Sequence, residues 1–212
     1  LRKALDLVSH PRWLADVAIG GKPLTFGNLA SVVPSGRKPE DFKAWVESQF
    51  DPSVTWRDLD WTRQHWPGKL VIKGIMERED ALSAIEVGAD AVVVSNHGGR
   101  QLDGAPASLS VLPAISEAVA GKCQVFVDGG IQSGQDLVRA LCLGADGCLI
   151  GRPWGYALAA GGQAAVESLL DNIRLETELT LSLMGKTAIA ELDRSDVLSL
   201  TEVQSMAQGG VS

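Results

Sequence analysis

Four times between residues 69 and 153 a short apolar run ends in glycine or charge, and a helix-like stretch takes over. Leu70-Val71-Ile72 closes at Lys73-Gly74, and Ala91-Val92-Val93-Val94 runs into Ser95. Val125-Phe126-Val127 ends at Asp128-Gly129-Gly130, and Gly147 to Ile150 ends at Gly151-Arg152-Pro153. Helical spacing fills the intervals over Glu77 to Val87, Leu109 to Val119 and Asp136 to Leu143, and returns over Ala164 to Leu183. Nearly continuous β-branched runs are what strands covered on both faces look like. Strand and helix in strict alternation give a parallel sheet, either a barrel or a doubly wound sheet. The barrel fits better, because every strand ends in candidate chemistry and barrels build their sites at those ends. A full (β/α)8 TIM barrel needs about 250 residues. Four βα units behind a leader therefore predict an α/β fold that is the C-terminal half of such a barrel, over residues 61–212.

Residues 1–60 have a different texture. Gly20-Gly21, Pro23, Pro34, Pro39 and Pro52 interrupt short apolar pieces, which predicts a loop-rich leader. Trp13, Trp45, Trp56 and Trp61 lie in or beside it and read as residues that pack loops onto a core. The chain starts at Leu1 rather than Met, inside a charged helix-like stretch, and reads as a fragment or a processed chain. Composition excludes several classes. A net charge of -7 is the opposite of a nucleic-acid footprint. No apolar run approaches the ~20 residues that span a bilayer, and no signal peptide is visible. Cys123, Cys142 and Cys148 are odd in number and sit in apolar stretches without metal-type spacing, so they read as buried thiols.

The strongest chemistry lies in Ser95-Asn96-His97-Gly98-Gly99-Arg100-Gln101, which begins where a buried strand ends. His97 is the side chain suited to exchanging protons near neutral pH. Arg100 offers a planar fork that can hold a carboxylate through two parallel hydrogen bonds. The glycines between them let both heads face one ligand. A base beside a carboxylate clamp suits a 2-hydroxy acid, although a glycine-rich turn with a surface histidine and arginine would read the same. Lys73 closes an apolar strand, either as an exposed end-cap or as a cation facing an anionic ligand or a flavin ring. Asp128-Gly129-Gly130 and Gly151-Arg152-Pro153 follow the last two strands of the repeat, where barrels place phosphate sites; ordinary βα turns are the alternative.

Ile72-Lys73-Gly74, the run Ser95 to Gly104, Asp128-Gly129-Gly130 and Leu143-Gly144-Ala145 with Gly151-Arg152 closely resemble the FMN-dependent α-hydroxy-acid dehydrogenase/oxidase family. The likeness is best from about residue 50 to 185. Leader segments His10-Pro11-Arg12-Trp13, Phe26-Gly27-Asn28-Leu29 and Phe50-Asp51-Pro52-Ser53 look most like the bacterial respiratory L-lactate dehydrogenases. The resemblance implies oxidation of an L-2-hydroxy acid, L-lactate first, to the 2-oxo acid with FMN as acceptor. His97 would be the active-site base, Arg100 the carboxylate binder, and Lys73 the cation near the flavin N1/O2 edge. Ser95 would lie at the flavin-facing strand end, with Asp128, Gly129, Gly130, Gly151 and Arg152 forming the ribityl-phosphate cradle. It also implies a quinone or other electron acceptor, a cytoplasmic enzyme with peripheral contact to the inner membrane, and a homo-oligomer when complete.

The chain departs from the family in two places. Gln132 stands where the family usually has an arginine after the Asp-Gly-Gly turn. The family's first four strands, with a substrate-binding tyrosine and the aspartate that orients the histidine, have no counterpart here, so this chain alone is expected to be inactive. Competing readings are an oxidase that returns electrons to oxygen, a non-catalytic fragment, and another FMN or phosphate-binding barrel, which would lack the Ser-Asn-His-Gly-Gly-Arg-Gln run.

Overall fold

The computed structural model describes residues 6, 8–21, 28–33 and 39–209. Pro23, Phe26, Gly27 and Pro34 of the leader lie outside these residues. The chain divides into two units, Leu1–Val54 and Thr55–Ser212.

In the first unit, Pro11–Trp13 forms one helical turn that widens into a π-helix over Leu14–Ile19. Helix α1 follows at Pro39–Gln49. Glu40 and Asp41 in its first turn complement the positive end of the helix dipole. Phe42 and Val33 are buried.

The second unit opens with α2 (Trp56–His65), where the Asp58 carboxylate accepts from the N–H and the hydroxyl of Thr55, each at 2.7 Å. Its Arg63 donates to Asp90 at 3.4 Å and to the Gly68 carbonyl at 2.7 Å, which fastens α2 beside the starts of the first two strands. Four parallel strands then alternate with helices: β1 (Val71–Ile75), α3 (Arg78–Glu86), β2 (Ala91–Ser95), α4 (Ser108–Val119), β3 (Gln124–Asp128), α5 (Gly134–Cys142), β4 (Gly147–Leu149) and α6 (Arg152–Leu183). A last helix, α7 (Leu200–Gly209), lies near the C-terminus. The strands pair in sequence order, β1-β2-β3-β4.

This order separates the two architectures left open by the sequence. A doubly wound sheet reverses its strand order and carries helices on both faces. Here Val92, Val94, Val125 and Val127 join Ala81 and Ala84 of α3, Leu112 and Ile115 of α4, and Ala140 of α5 in one core. Lys73, Val93, Ser95, Phe126 and Asp128 share the opposite face by register and by the alternation of side chains along a strand. The fold is a partial (β/α) barrel, and the second face is its lumen.

All four strands lie where the apolar runs place them. The first three continue one to three residues further, taking Lys73, Ser95 and Asp128 into the sheet. Helix α6 starts twelve residues before Ala164, at Arg152, and breaks at Gly161 and Gly162, whose backbone is not helical. Of the three thiols only Cys142 is buried; Cys123 and Cys148 are half-buried. Burial, reinforced by Asp136, pushes the Cys148 thiol up to about 12, so it stays protonated and unreactive.

Candidate active site

The C-terminal ends of the strands gather most of the residues singled out by sequence. Between Lys73 and Ile75 the register of β1 against β2 slips, with Gly74 as the extra residue at φ 99°. A bulge of this kind re-aims the side chain beside it. Lys73 stands opposite Val93, yet its ammonium reaches the Ser95 hydroxyl at 2.7 Å and also pairs with Asp128. Ser95, only 4% exposed, donates to the same Asp128 oxygen at 2.7 Å and accepts from the N–H of His97 at 3.0 Å. Burial alone would raise the carboxyl of Asp128. Hydrogen bonds from Lys73 and Ser95, with the charges of Lys73 and His97, outweigh it and hold the group below its ordinary value. Asp128 is therefore a carboxylate, and the lumen wall carries a compensated cation–anion pair.

His97 is exposed and sits at φ 59°, in the left-handed region that a non-glycine residue seldom occupies. Strain of this kind, of order 1 kcal/mol, persists where the surroundings impose it, and it clusters at functional sites. Asn96 imposes it here: its side chain accepts from the Gly99 N–H at 3.2 Å and donates to the Pro106 carbonyl at 3.0 Å. The amide nitrogen of Gln101 stands 3.2 Å from His97 Nδ1, so one ring nitrogen already has a partner. Arg100 spends its Nε on the His97 carbonyl at 3.2 Å, which leaves the terminal nitrogens of the fork for a ligand.

Beside this loop lies a hollow lined by Gly98, Arg100, the Asp128–Gln132 turn and Gly151-Arg152. Arg152 lies against Gly98, its Nη2 3.7 Å from where a Cβ on that glycine would be. Two helices point their first turns towards these loops, and they differ. Asp136 accepts from the N–H groups of Gln132 and Ser133, both at 3.1 Å, and Glu176 accepts from the Gly134 N–H at 2.7 Å. The start of α5 is thus closed by carboxylates of the chain itself. The start of α6 has no side-chain cap, no acidic residue in its first turn, and Arg152 at its head. Gly129 and Gly130 sit at φ 109° and 82°, and among the described residues no side chain accepts from their N–H groups. The glycine turn and the start of α6, rather than the start of α5, are therefore the candidate donors for an anion.

Asn96 and Gln101 fall inside the run Ser95 to Gln101 without a role of their own, and the sequence gives none to Ser108, Asp136 or Glu176. Of the last three only Asp136 has a local signal, the Ser-x-x-Asp spacing of a capping box with Ser133. Among the described residues no cluster of three or more His, Cys, Asp or Glu could hold a metal, and no helix is long and apolar enough to cross a membrane.

The C-terminal edge of the parallel sheet thus carries a strained histidine, an arginine fork and a glycine turn beside the start of α6. Residues 1–199 match the model of the FMN-dependent dehydrogenase family, and the chain belongs to that family. An L-lactate dehydrogenase of Xanthomonas campestris pv. campestris is 49% identical over 199 residues, 94% of this chain and 51% of the relative. Its counterpart in Xanthomonas oryzae pv. oryzae is 47% identical over 207 residues, 98% of this chain and 53% of the relative. The chain spans about half the length of the curated relatives it matches. Among solved structures, the monotopic membrane protein (S)-mandelate dehydrogenase is similar over 92% of this chain and 51% of its own, with TM-score 0.82 and 38% identity. A mandelate oxidase mutant with a monooxide FMN adduct is similar over 67% of this chain and 45% of its own, with TM-score 0.64 and 45% identity.

Proposed function

We propose that this chain supplies the flavin-phosphate and substrate-carboxylate half of an FMN-dependent L-2-hydroxy-acid dehydrogenase, with L-lactate as the leading substrate. The supporting observation is the shared hollow in which the Arg100 fork, the Gly129-Gly130 turn and the uncapped start of α6 converge beside His97. The cradle fits a phosphate monoester, because it offers glycine amides and a guanidinium without a carboxylate of the chain occupying them. Gly129, Gly130, Gly151 and Arg152 would hold the phosphate. Asp128, Ser95 and Lys73 would line the approach to the flavin ring, with Lys73 presenting positive charge. Gln132 adds no charge, so Arg152 carries the phosphate's charge compensation from this turn. FMN, when bound, accepts the two electrons of the oxidation.

Arg100 would fix the substrate carboxylate with its free nitrogens, and His97 would take the proton as the 2-hydroxyl becomes a carbonyl. In a complete enzyme that carries this half, Arg100→Lys is expected to raise KM for L-lactate by about tenfold or more, since a point charge cannot reproduce a bidentate fork. FMN affinity should stay at the wild-type value in a flavin fluorescence titration. An unchanged KM would remove Arg100 from the substrate site.

A quinone acceptor at a membrane surface is the second part of the reading. Val8, Trp13, Val17 and Ile19 expose apolar side chains on the first unit, and the (S)-mandelate dehydrogenase that this chain resembles is a monotopic membrane protein. The expected result is faster reoxidation of reduced flavin by a quinone in anionic vesicles than by oxygen, with Ile19→Asp losing the quinone advantage. Equal rates with oxygen would favour an oxidase.

A further inference from the structure

The structure assigns to Ser108 the part of a positioning residue that couples the histidine loop to the phosphate-facing turn; the inference rests on the function proposed above. Ser108 is the first residue of α4 and is 3% exposed. A serine at the start of a helix commonly serves its own helix, but the cap position of α4 is Ala107 and no side chain caps it. The hydroxyl of Ser108 instead works sideways. It donates to the Asp128 carbonyl at 2.8 Å and accepts from the N–H of Asn96 at 3.3 Å. One oxygen therefore bridges the last residue of β3 to the residue preceding His97.

Gly129 closes the arrangement. A Cβ there would stand 3.3 Å from the Ser108 hydroxyl and 3.4 Å from the Asn96 side-chain oxygen, so the turn packs directly onto the bridge. Asn96 in turn holds Gly99 and the Pro106 carbonyl, and so fixes the loop that carries His97 and Arg100. The spacing between the group that handles the substrate proton and the amides that face the phosphate thus runs through this hydroxyl, beside the Ser95 hydroxyl that joins the His97 N–H to the Asp128 carboxylate. A displacement of about 1 Å between positioned groups can cost a hundredfold in rate.

Hydrogen exchange on wild type, Ser108→Ala and Ser108→Thr, with and without FMN, tests the assignment. Removing the hydroxyl leaves a half-buried carbonyl and amide without partners, and exchange over residues 96–100 and 128–131 should accelerate together by about tenfold. Helix α3 and strand β1 should exchange at the wild-type rate, and Ser108→Thr, which keeps the hydroxyl, should restore both loops. In a complete, FMN-loaded enzyme that carries this half, Ser108→Ala should lower kcat more than it raises KM. Acceleration of only one loop, uniform acceleration across the sheet, or failure of the threonine variant to restore either loop would overturn the coupling. Failure of the wild type to bind FMN would overturn the proposed function instead, and the exchange comparison in the unliganded chain would still decide the role of Ser108.

Discussion

In a complete enzyme that carries this half, replacing His97 with alanine is expected to reduce turnover of L-lactate by about a hundredfold to ten-thousandfold, the range that a positioned general base contributes, while FMN remains bound. The separation of these effects follows from where the ring sits. His97 is exposed at the end of β2 and belongs to no part of the core, so its removal opens no cavity. Its backbone N–H, which donates to Ser95, is untouched by the substitution. Apart from Ser95 at the end of β2, the proposed flavin contacts lie on other elements: Lys73 on β1, Asp128 to Gly130 at the end of β3, and Arg152 at the head of α6. Alanine inherits the left-handed backbone at φ 59°, so the loop keeps its conformation and its strain. Single-turnover reduction of bound flavin, followed at its visible absorbance, measures the step directly. Partial recovery with added imidazole would mark the lost group as a base. A variant that reduced its flavin at the wild-type rate would end the assignment of His97.

The sequence made this histidine legible because its neighbours repeat a pattern that chemistry restricts: a base, two residues without side chains, and a fork. The strands were equally legible, since Val92 to Val94 and Val125 to Val127 are β-branched or aromatic and end at polar or charged residues, Ser95 and Asp128. Their ends were less so. Lys73, Ser95 and Asp128 look like loop residues by polarity, yet each continues its ladder because the lumen face accepts polar side chains that satisfy one another. Proline misled in the leader. Pro39 reads as a breaker, but in the first turn of a helix proline loses no hydrogen bond, and Pro39 opens the eleven residues of α1. What stayed hidden were partnerships across long sequence separations. Nothing near Ser108 marks it as a bridge from Asn96 to Asp128, twenty residues away, and nothing near Glu176 shows that its carboxylate closes α5 at Gly134, forty-two residues away. Local pattern reports a residue's own element and is silent on what packs against it.

That same junction sets the second large effect: Gly134→Ala is expected to lower stability by about 3 kcal/mol, the upper part of the usual range for overpacking a tight site. Two terms compete. Alanine is the better helix former, and relief of glycine's backbone entropy favours the variant by at most about 1 kcal/mol. Against this, a Cβ on Gly134 would lie 2.5 Å from the Ile173 carbonyl oxygen, and closer still to the Thr177 nitrogen. Both are backbone atoms of α6, so no rotamer change can make room, and the two helices must separate. Separation also weakens the Gly134 to Glu176 hydrogen bond that closes the start of α5. For a chain of this size about 2–4 °C of Tm accompanies each kcal/mol, so thermal unfolding should shift down by roughly 6–12 °C. Glu176→Ala supplies the control, since it removes the hydrogen bond and leaves the helices in contact. Its Tm should fall much less than that of Gly134→Ala, because an exposed carboxylate contributes little compared with a collision between two backbones.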